Sequence, residues 1–389
     1  MTSLNTEAAV RDRYSGAAAE REPELCCPID YDRRYLEIIP QEVIDRDYGC
    51  GDPSKYVREG ETVLDLGSGG GKICFIAAQK VGPTGSIIGV DMNDDMLDLA
   101  RRSQPLVAEK MGYDNLSFRK GKIQDMTIDR DAVDRYLRQT PINNESDLQR
   151  FEAFLQDMRL NAPLIPADSI DVIVSNCVLN LVDGSEKQSL FRELFRVLKP
   201  GGRAVISDIV SDEPVPKSMQ QDATLWSGCI SGALQEKAFI DAFTEAGFQG
   251  PQLAAFQPEP WQTVEGIEFR SATVIAYKFP QTECFEHHEA VVYQGPYASV
   301  HDDDGHRFTR GVRTAVCRKT FLKMRSEPYG NDFIAIEPAI PIDPENAAPF
   351  DCTNGQEVRS PKITKAGRVT NETNASASGD NCCEEGGCC

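Results

Sequence analysis

The chain has 389 residues, 40% of them hydrophobic and 26% charged, enough to bury a full core and to form two or three domains. Its 41 basic and 61 acidic residues leave a net charge of −20, which repels phosphate backbones and anionic lipid and argues against nucleic acid or a membrane as partner. No apolar leader opens the sequence and no stretch approaches the roughly 20 apolar residues of a membrane span, so a cytoplasmic location is expected.

Residues 1–45 are charged, with helical turns expected over 8–21 and 34–39, and read as an N-terminal flap. Between 46 and about 250, strand-like runs at 62–66, 86–91, 116–119, 170–175 and 203–207 alternate with helical stretches at 72–81, 94–111, 186–198 and 236–246. Such alternation needs crossover connections, hence a mostly parallel sheet covered on both faces: a doubly wound, Rossmann-like α/β domain. The turn Lys199-Pro-Gly-Gly and the glycine at 247 supply helix ends. An insertion over about 127–168 carries apolar residues at Val133, Leu137, Leu148, Phe151, Phe154 and Leu155, a spacing that predicts surface helices. Beyond Pro258, strand-like segments within 268–279, 289–293 and 312–321 and a turn at 302–305 predict a smaller α+β domain over 255–338. The remainder, 339–389, is rich in Pro, Asn, Thr, Ser and Gly and is expected to be a disordered tail ending in thiols.

Thirteen cysteines, an odd number without a leader, argue against a static disulfide framework. Six of them form adjacent pairs, Cys26–Cys27, Cys382–Cys383 and Cys388–Cys389, which suits capture of a soft metalloid or thiol exchange, or else belongs to a dispensable flexible tail.

Directly after the first strand, Gly67, Gly69, Gly70 and Gly71 let backbone amides approach a ligand, and the next helix points its N-terminal dipole there. Asp91 ends the second strand, 20 residues after Gly71, where a carboxylate accepts from ribose hydroxyls. A nicotinamide dinucleotide fits this layout. Asp65, however, would repel a pyrophosphate and accept from the cationic amino group of S-adenosylmethionine, so the methyl donor is favoured. Gln124 and Asp125, after the third strand, either bond to adenine or form a solvated loop pair.

Cys177 ends the fourth strand at the carboxyl edge where open parallel sheets place ligands. Cys229 follows the fifth strand, Cys74 adjoins the glycine turn and Cys50 precedes the first strand, so four cysteines flank one pocket. With Tyr48-Gly-Cys-Gly, Asp65-Leu-Gly-Ser-Gly with Cys74, Val90-Asp-Met, Ser175-Asn-Cys-Val-Leu-Asn-Leu, Val197-Leu-Lys-Pro-Gly-Gly and Cys229-Ile-Ser-Gly-Ala-Leu, the chain resembles the arsenite methyltransferases, S-adenosylmethionine-dependent enzymes that methylate trivalent arsenic. Tyr293-Gln-Gly, Asp304-Gly-His-Arg-Phe and Ala315-Val-Cys317 resemble that family's second domain.

The resemblance implies a class I methyltransferase sheet and methylated arsenicals as products, in the service of detoxification. It implies Cys177 and Cys229 as lasting arsenic ligands, Cys74 as a third thiol that binds or relays, and Cys50 as the disulfide partner of Cys74. Asp65, Gly67, Gly69, Gly71, Asp91, Met92, Gln124, Asp125 and Asn176 would hold the cofactor, with Tyr14 closing over it or simply packing. Arsenite or its thiol conjugates would be the substrate, thioredoxin or glutathione the reductant, and the chain a monomer. Two departures stand out: Gly228, where some relatives carry an acid, and the long insertion. The alternatives are a methyltransferase for another small organic molecule with structural cysteines, and a non-catalytic metalloid- or thiol-binding protein. Cys284, His287, His306 and Cys317 also offer a zinc-ligand set in the smaller domain, at scattered spacing.

Overall fold

Apolar runs flanked by helices build five parallel strands: β1 (Thr62–Leu66), β2 (Ser86–Asp91), β3 (Leu116–Lys120), β4 (Ile170–Asn176) and β5 (Leu198–Ser211), in the order β3-β2-β1-β4-β5. Short β6 (Leu234–Gln235) adds in parallel to the end of β5. Three further strands, β7 (Gln249–Phe256), β8 (Gln262–Val264) and β9 (Ile267–Tyr277), complete the sheet; β9 lies antiparallel beside β5, and β7 and β8 pair with β9. In this computed structural model the described residues are 5–20, 22, 31–352 and 357–368, and the Cys26–Cys27, Cys382–Cys383 and Cys388–Cys389 pairs lie outside them.

The chain proceeds from β1 outward to β3, then returns to the other side of β1 as β4, so the carboxyl ends of β1 and β4 flank the point where the winding reverses. Beneath it, Leu64, Leu66, Ile173, Ala204 and Ile206 pack with Leu190, Phe191 and Leu194 of the helix Lys187–Val197 and Phe243 of the helix Glu236–Glu245. Phe191 and Phe243 meet edge to face at 5.0 Å. The helix Asp94–Met111 starts at Asn93, whose side chain accepts from Met96 N–H, and stops at left-handed Gly112. The insertion forms the helices Arg130–Gln139 and Glu145–Asn161 around Ile128, Val133 and Met158, with Tyr136 stacked on Phe154 at 4.5 Å. Among the described residues no helix is long and apolar enough to cross a membrane.

The chain divides after Pro280 into two units. In the second, β10 (Ala290–Tyr293) lies between β13 (Arg313–Ala315) and β14 (Phe333–Ile336), while β11 (Ser299–His301) and β12 (Arg307–Thr309) form a hairpin. Val291, Tyr293, Phe308, Phe321 and Met324 make its core.

Two expectations are corrected. The boundary near 250–255 moves to Pro280, because β7 to β9 belong to the large sheet; an apolar run announces a strand, not the sheet that accepts it. Within 312–321 the expected strand segment is Arg313–Ala315, and the helix Arg318–Met324 follows it. The segment 339–368 is not a disordered tail where it is described: Arg359, 5% exposed, donates from Nη2 to both Glu286 carboxylate oxygens at 2.8 Å and from Nε to the Glu289 carbonyl.

Arg203 on β5 is 6% exposed and reaches across to Glu61 at 2.7 and 3.0 Å while donating to the Tyr56 carbonyl, tying β5 to the segment that enters β1. Replacing it by methionine strands the Glu61 carboxylate in a largely dry site. Arg203→Met is therefore expected to cost about 3 kcal/mol of unfolding free energy in urea titrations.

Candidate active site

The glycine turn after β1 is folded back on β2: the Gly67 and Ser68 N–H groups both donate to the Val90 carbonyl, at 2.8 and 3.1 Å. Gly67 has φ 62°, and a Cβ there would sit 2.4 Å from the Val178 side chain, so only glycine fits. Asp91 accepts from Gly69 N–H and Asn93 N–H, each at 2.8 Å, which anchors its carboxylate at the cleft wall. Burial raises the Asp91 pKa while these amides oppose the rise. Ser68 Oγ is buried and has no hydrogen-bond partner among the described residues, although the residue lines the cleft.

The cleft lies over the ends of β1 and β4, and its lining includes Tyr14, Asp65, Gly67, Gly69, Asp91, Met92, Gln124, Asn176 and Cys177. Asp65 is 2% exposed, and burial pushes its carboxyl up to about 8. Tyr14 comes from the helix Thr6–Ala19, so the N-terminal segment does supply a wall of the cleft.

Cys50 and Cys177, 127 residues apart, are joined in a disulfide. The Cys50 loop can lie flat on the sheet because glycines flank the thiol. A Cβ at Gly49 would meet the Asn176 amide at 2.0 Å, and one at Gly51 the Ser207 hydroxyl at 2.6 Å. Asn176 clamps this loop, accepting from the Cys50 and Gly51 N–H groups at 2.8 and 3.0 Å and donating to the Gly51 carbonyl at 2.8 Å. The Cys229 thiol lies 3.3 Å from the Cys177 carbonyl and 3.9 Å from the Tyr14 hydroxyl. Cys177 and Cys229 both hold left-handed backbone, φ 59° and 62°, a conformation that costs a non-glycine residue energy and persists only where its surroundings enforce it.

At Cys229 the end of the helix Ala223–Ser227 sets it, Cys229 N–H donating to the Trp226 carbonyl at 3.1 Å and Ile230 N–H to the Leu225 carbonyl at 3.0 Å; the turn after Cys177 is held by Asp208, a buried acid inside the long strand β5. It accepts from Leu179 N–H at 2.8 Å and Asn180 N–H at 3.3 Å, and one of its oxygens lies within 4.8 Å of both disulfide sulfurs. Burial pushes it up to about 6. Asn180 in turn donates to the Ile209 and Cys229 carbonyls, at 2.7 and 3.2 Å. Lys187, brought down to about 8 by burial, donates to the Leu179 and Gly232 carbonyls at 3.0 and 2.7 Å. Asp208, Asn180 and Lys187 escaped the sequence reading; the available signal was an acid within the apolar run Ala204-Val-Ile-Ser-Asp-Ile-Val.

Several expected residues sit elsewhere. Cys74 does not pair with Cys50: it is fully buried behind the cleft wall and donates to Asp65 at 3.2 Å, and burial beside that acid raises its pKa. Gly71 starts the next helix with φ 90° and packs against Phe118 and Phe75 rather than lining the cleft. The Asp125 carboxylate is committed to Thr127 and, at 3.3 Å, to Arg159, while Gln124 lines the cleft and donates to Glu186 at 2.9 Å. Asn176 borders the cleft, but its amide is spent on the Cys50 loop. Beside Gly228, Arg13 donates to the Thr224 carbonyl and the Ser227 hydroxyl, at 3.0 and 3.2 Å. Of the four residues offered for zinc, Cys284 and Cys317 come together without either histidine, and the His306 ring bonds Asp302 at 2.9 Å instead.

A methyltransferase domain family matches residues 58–161 and 142–247, and a domain family of unknown function matches 280–369. An arsenite methyltransferase of Aquipseudomonas alcaligenes is 33% identical over 311 residues, covering 77% of this chain and 79% of its own. That of Mus musculus is 30% identical over 332 residues, covering 82% and 77%. The crystal structure of an arsenic (III) S-adenosylmethionine methyltransferase from Chlamydomonas reinhardtii superposes with a TM-score of 0.54 at 27% identity, over 84% of this chain and all of the other. With the switch-point cleft and its cysteines, these similarities show that the chain belongs to the arsenite methyltransferase family.

Proposed function

We propose that the chain transfers methyl groups from S-adenosylmethionine to trivalent arsenic held by Cys177 and Cys229, giving methylated arsenicals. The observation that carries this reading is that Cys177, which lines the cleft bordered by Asp65, the glycine turn and Asp91, packs in one buried cluster with its disulfide partner Cys50 and with Cys229. The residues fit the cofactor: Asp65 for its ammonium group, Asp91 for ribose hydroxyls and the unpartnered Ser68 hydroxyl for a further polar contact. When bound, S-adenosylmethionine supplies an electrophilic methyl group to the lone pair of the thiolate-bound arsenic.

Disulfide exchange with an external thiol such as thioredoxin or glutathione opens Cys50–Cys177, returning two thiols for one new disulfide on the reductant. Cys177 and Cys229 then displace water from arsenite. Each As–S bond replaces an As–O bond, and each thiol proton leaves in a water molecule. Arsenic bound this way has no proton to lose, so no general base is needed and positioning carries the rate. Asp208 holds the turn that follows Cys177, Asn180 ties that turn to the Cys229 carbonyl, and Tyr14 covers the Cys229 thiol. Methylation raises arsenic formally to the pentavalent state. The Cys50 thiolate next attacks Cys177 Sγ, and the As–S bond breaks with its electron pair left on arsenic. That step restores the trivalent state and closes the disulfide.

Two outcomes are expected. In assays with arsenite, labelled cofactor and a dithiol, followed by arsenic speciation, Cys177→Ser and Cys229→Ser each lower methylarsenical formation by at least about 100-fold. Cofactor affinity stays within about threefold in both, because neither thiol forms the glycine turn. Methylation surviving both substitutions would contradict the ligand assignment.

Asp65 supplies a pH test. Its raised pKa of about 8 means that it holds a proton in the free protein near neutrality, whereas contact with an ammonium group requires the carboxylate. Cofactor binding at pH 7 is therefore expected to release roughly one proton, and affinity to rise with pH up to about 8 and level off above it. Calorimetry in two buffers of different ionisation enthalpy reads the release directly. Equal heats in both buffers, or release undiminished in Asp65→Asn, would exclude this role.

A further inference from the structure

Three cysteines of the second unit come from separate segments and meet. Cys284 precedes β10, Cys317 follows β13 and Cys352 lies on the strand-like return after Pro349; their sulfurs all lie within 4.8 Å of one another. Backbone hydrogen bonds fix the three segments. Phe350 N–H donates to the Cys284 carbonyl at 2.8 Å, Glu286 N–H to the Ala348 carbonyl at 2.8 Å and Arg318 N–H to the Phe285 carbonyl at 2.9 Å. The Arg359–Glu286 pair braces the same corner. Cys317 is fully buried, and its sulfur accepts from Thr320 N–H at 3.4 Å; Cys284 and Cys352 are half-buried, and all three are free thiols. Cys317 and Cys352 border a pocket of about 240 Å³ whose wall includes Glu286, Phe308, Thr314 and Glu357.

Small clusters of free thiols held by a folded frame are what soft, thiophilic ions select. The number of ligands decides between ions. Zinc closes a structural site with four donors, and among the described residues no histidine or carboxylate atom joins these three sulfurs within the same radius. Trivalent arsenic is satisfied by three thiolates, its lone pair taking the fourth direction. Charge points the same way: a tris-thiolate of arsenic is neutral, whereas three thiolates around zinc retain a negative charge in a pocket that Glu357 also lines, in a chain whose net charge is already −20.

We propose that Cys284, Cys317 and Cys352 form a second, non-catalytic binding site for trivalent arsenic in the C-terminal unit. Arsenite enters by exchange: three As–O bonds break, three As–S bonds form, and the thiol protons leave in three waters, with no change of oxidation state. This inference stands on the second unit alone and does not depend on the catalytic roles given to Cys177 and Cys229.

The test uses the full chain, reduced and freed of reductant. Equilibrium dialysis against arsenite with elemental analysis compares the wild type with Cys284→Ser and Cys352→Ser. Each substitution is expected to weaken one equivalent of bound arsenic per chain by more than about tenfold. Unchanged binding in both variants would overturn the site. Should either variant fail to fold, alkylation of the wild type answers the question: arsenite is expected to suppress labelling of Cys284 and Cys352 together, read peptide by peptide in a mass spectrometer. Protection of neither would refute the proposal. The protection should persist in the Cys177→Ser/Cys229→Ser double variant, so that this site and the catalytic reading fail separately. Zinc alone forms the second arm, and stoichiometric zinc that arsenite does not displace would assign the cluster to zinc instead.

Discussion

A single buried carboxylate, Asp208, holds the reactive corner of this enzyme in shape. It sits 1% exposed inside β5 and takes the backbone N–H groups of Leu179 and Asn180, which would otherwise stay unpaired where β4 turns into the following loop. That contact holds the turn that follows Cys177, and Asn180 ties that turn to the Cys229 carbonyl. Leu179 N–H and Asn180 N–H can bond Asp208 only because β4 and β5 are adjacent parallel strands of one sheet. Chemistry at the cleft thus inherits its geometry from the order of the strands.

The same corner separates two kinds of acid by environment. Asp91 lies among backbone amides that oppose the effect of burial, which suits a fixed acceptor for hydroxyl groups. Asp65 has the Cys74 thiol as its hydrogen-bond donor and rises to about 8, which suits a group that ionises when a cation arrives. Cys74, fully buried, bonds the Asp65 carboxylate and does not line the cleft.

Features written in consecutive residues were legible in the sequence. The glycine turn with Asp65 and Asp91, the alternation of strands and helices, and the approach of Cys177 and Cys229 to one strand edge all follow from local pattern and from the rule that parallel sheets bind ligands at their carboxyl ends. Pairings between distant segments were not. Which thiol meets Cys50 depends on Gly49 and Gly51 resting against Asn176 and Ser207, a fit across 127 residues of chain that spacing does not encode. The place of β9 in the large sheet was hidden for the same reason. Cys352 was obscured differently: the polar composition around it suggested disorder, whereas the pairing of Phe285 with Pro349 and the Arg359–Glu286 contact order the segment. Asp208 was concealed because the strand was expected to stop one residue before it.

In the proposed cycle, Cys50 returns two electrons to arsenic by attacking Cys177. The most direct test of that step is a single turnover: reduced enzyme loaded with arsenite and S-adenosylmethionine, no external reductant, and thiol and disulfide states mapped by mass spectrometry after quenching. A Cys50–Cys177 disulfide is expected to form in step with the methyl groups transferred. Methyl transfer that leaves both thiols open to alkylation, or that yields a Cys50–Cys74 bond instead, would contradict it.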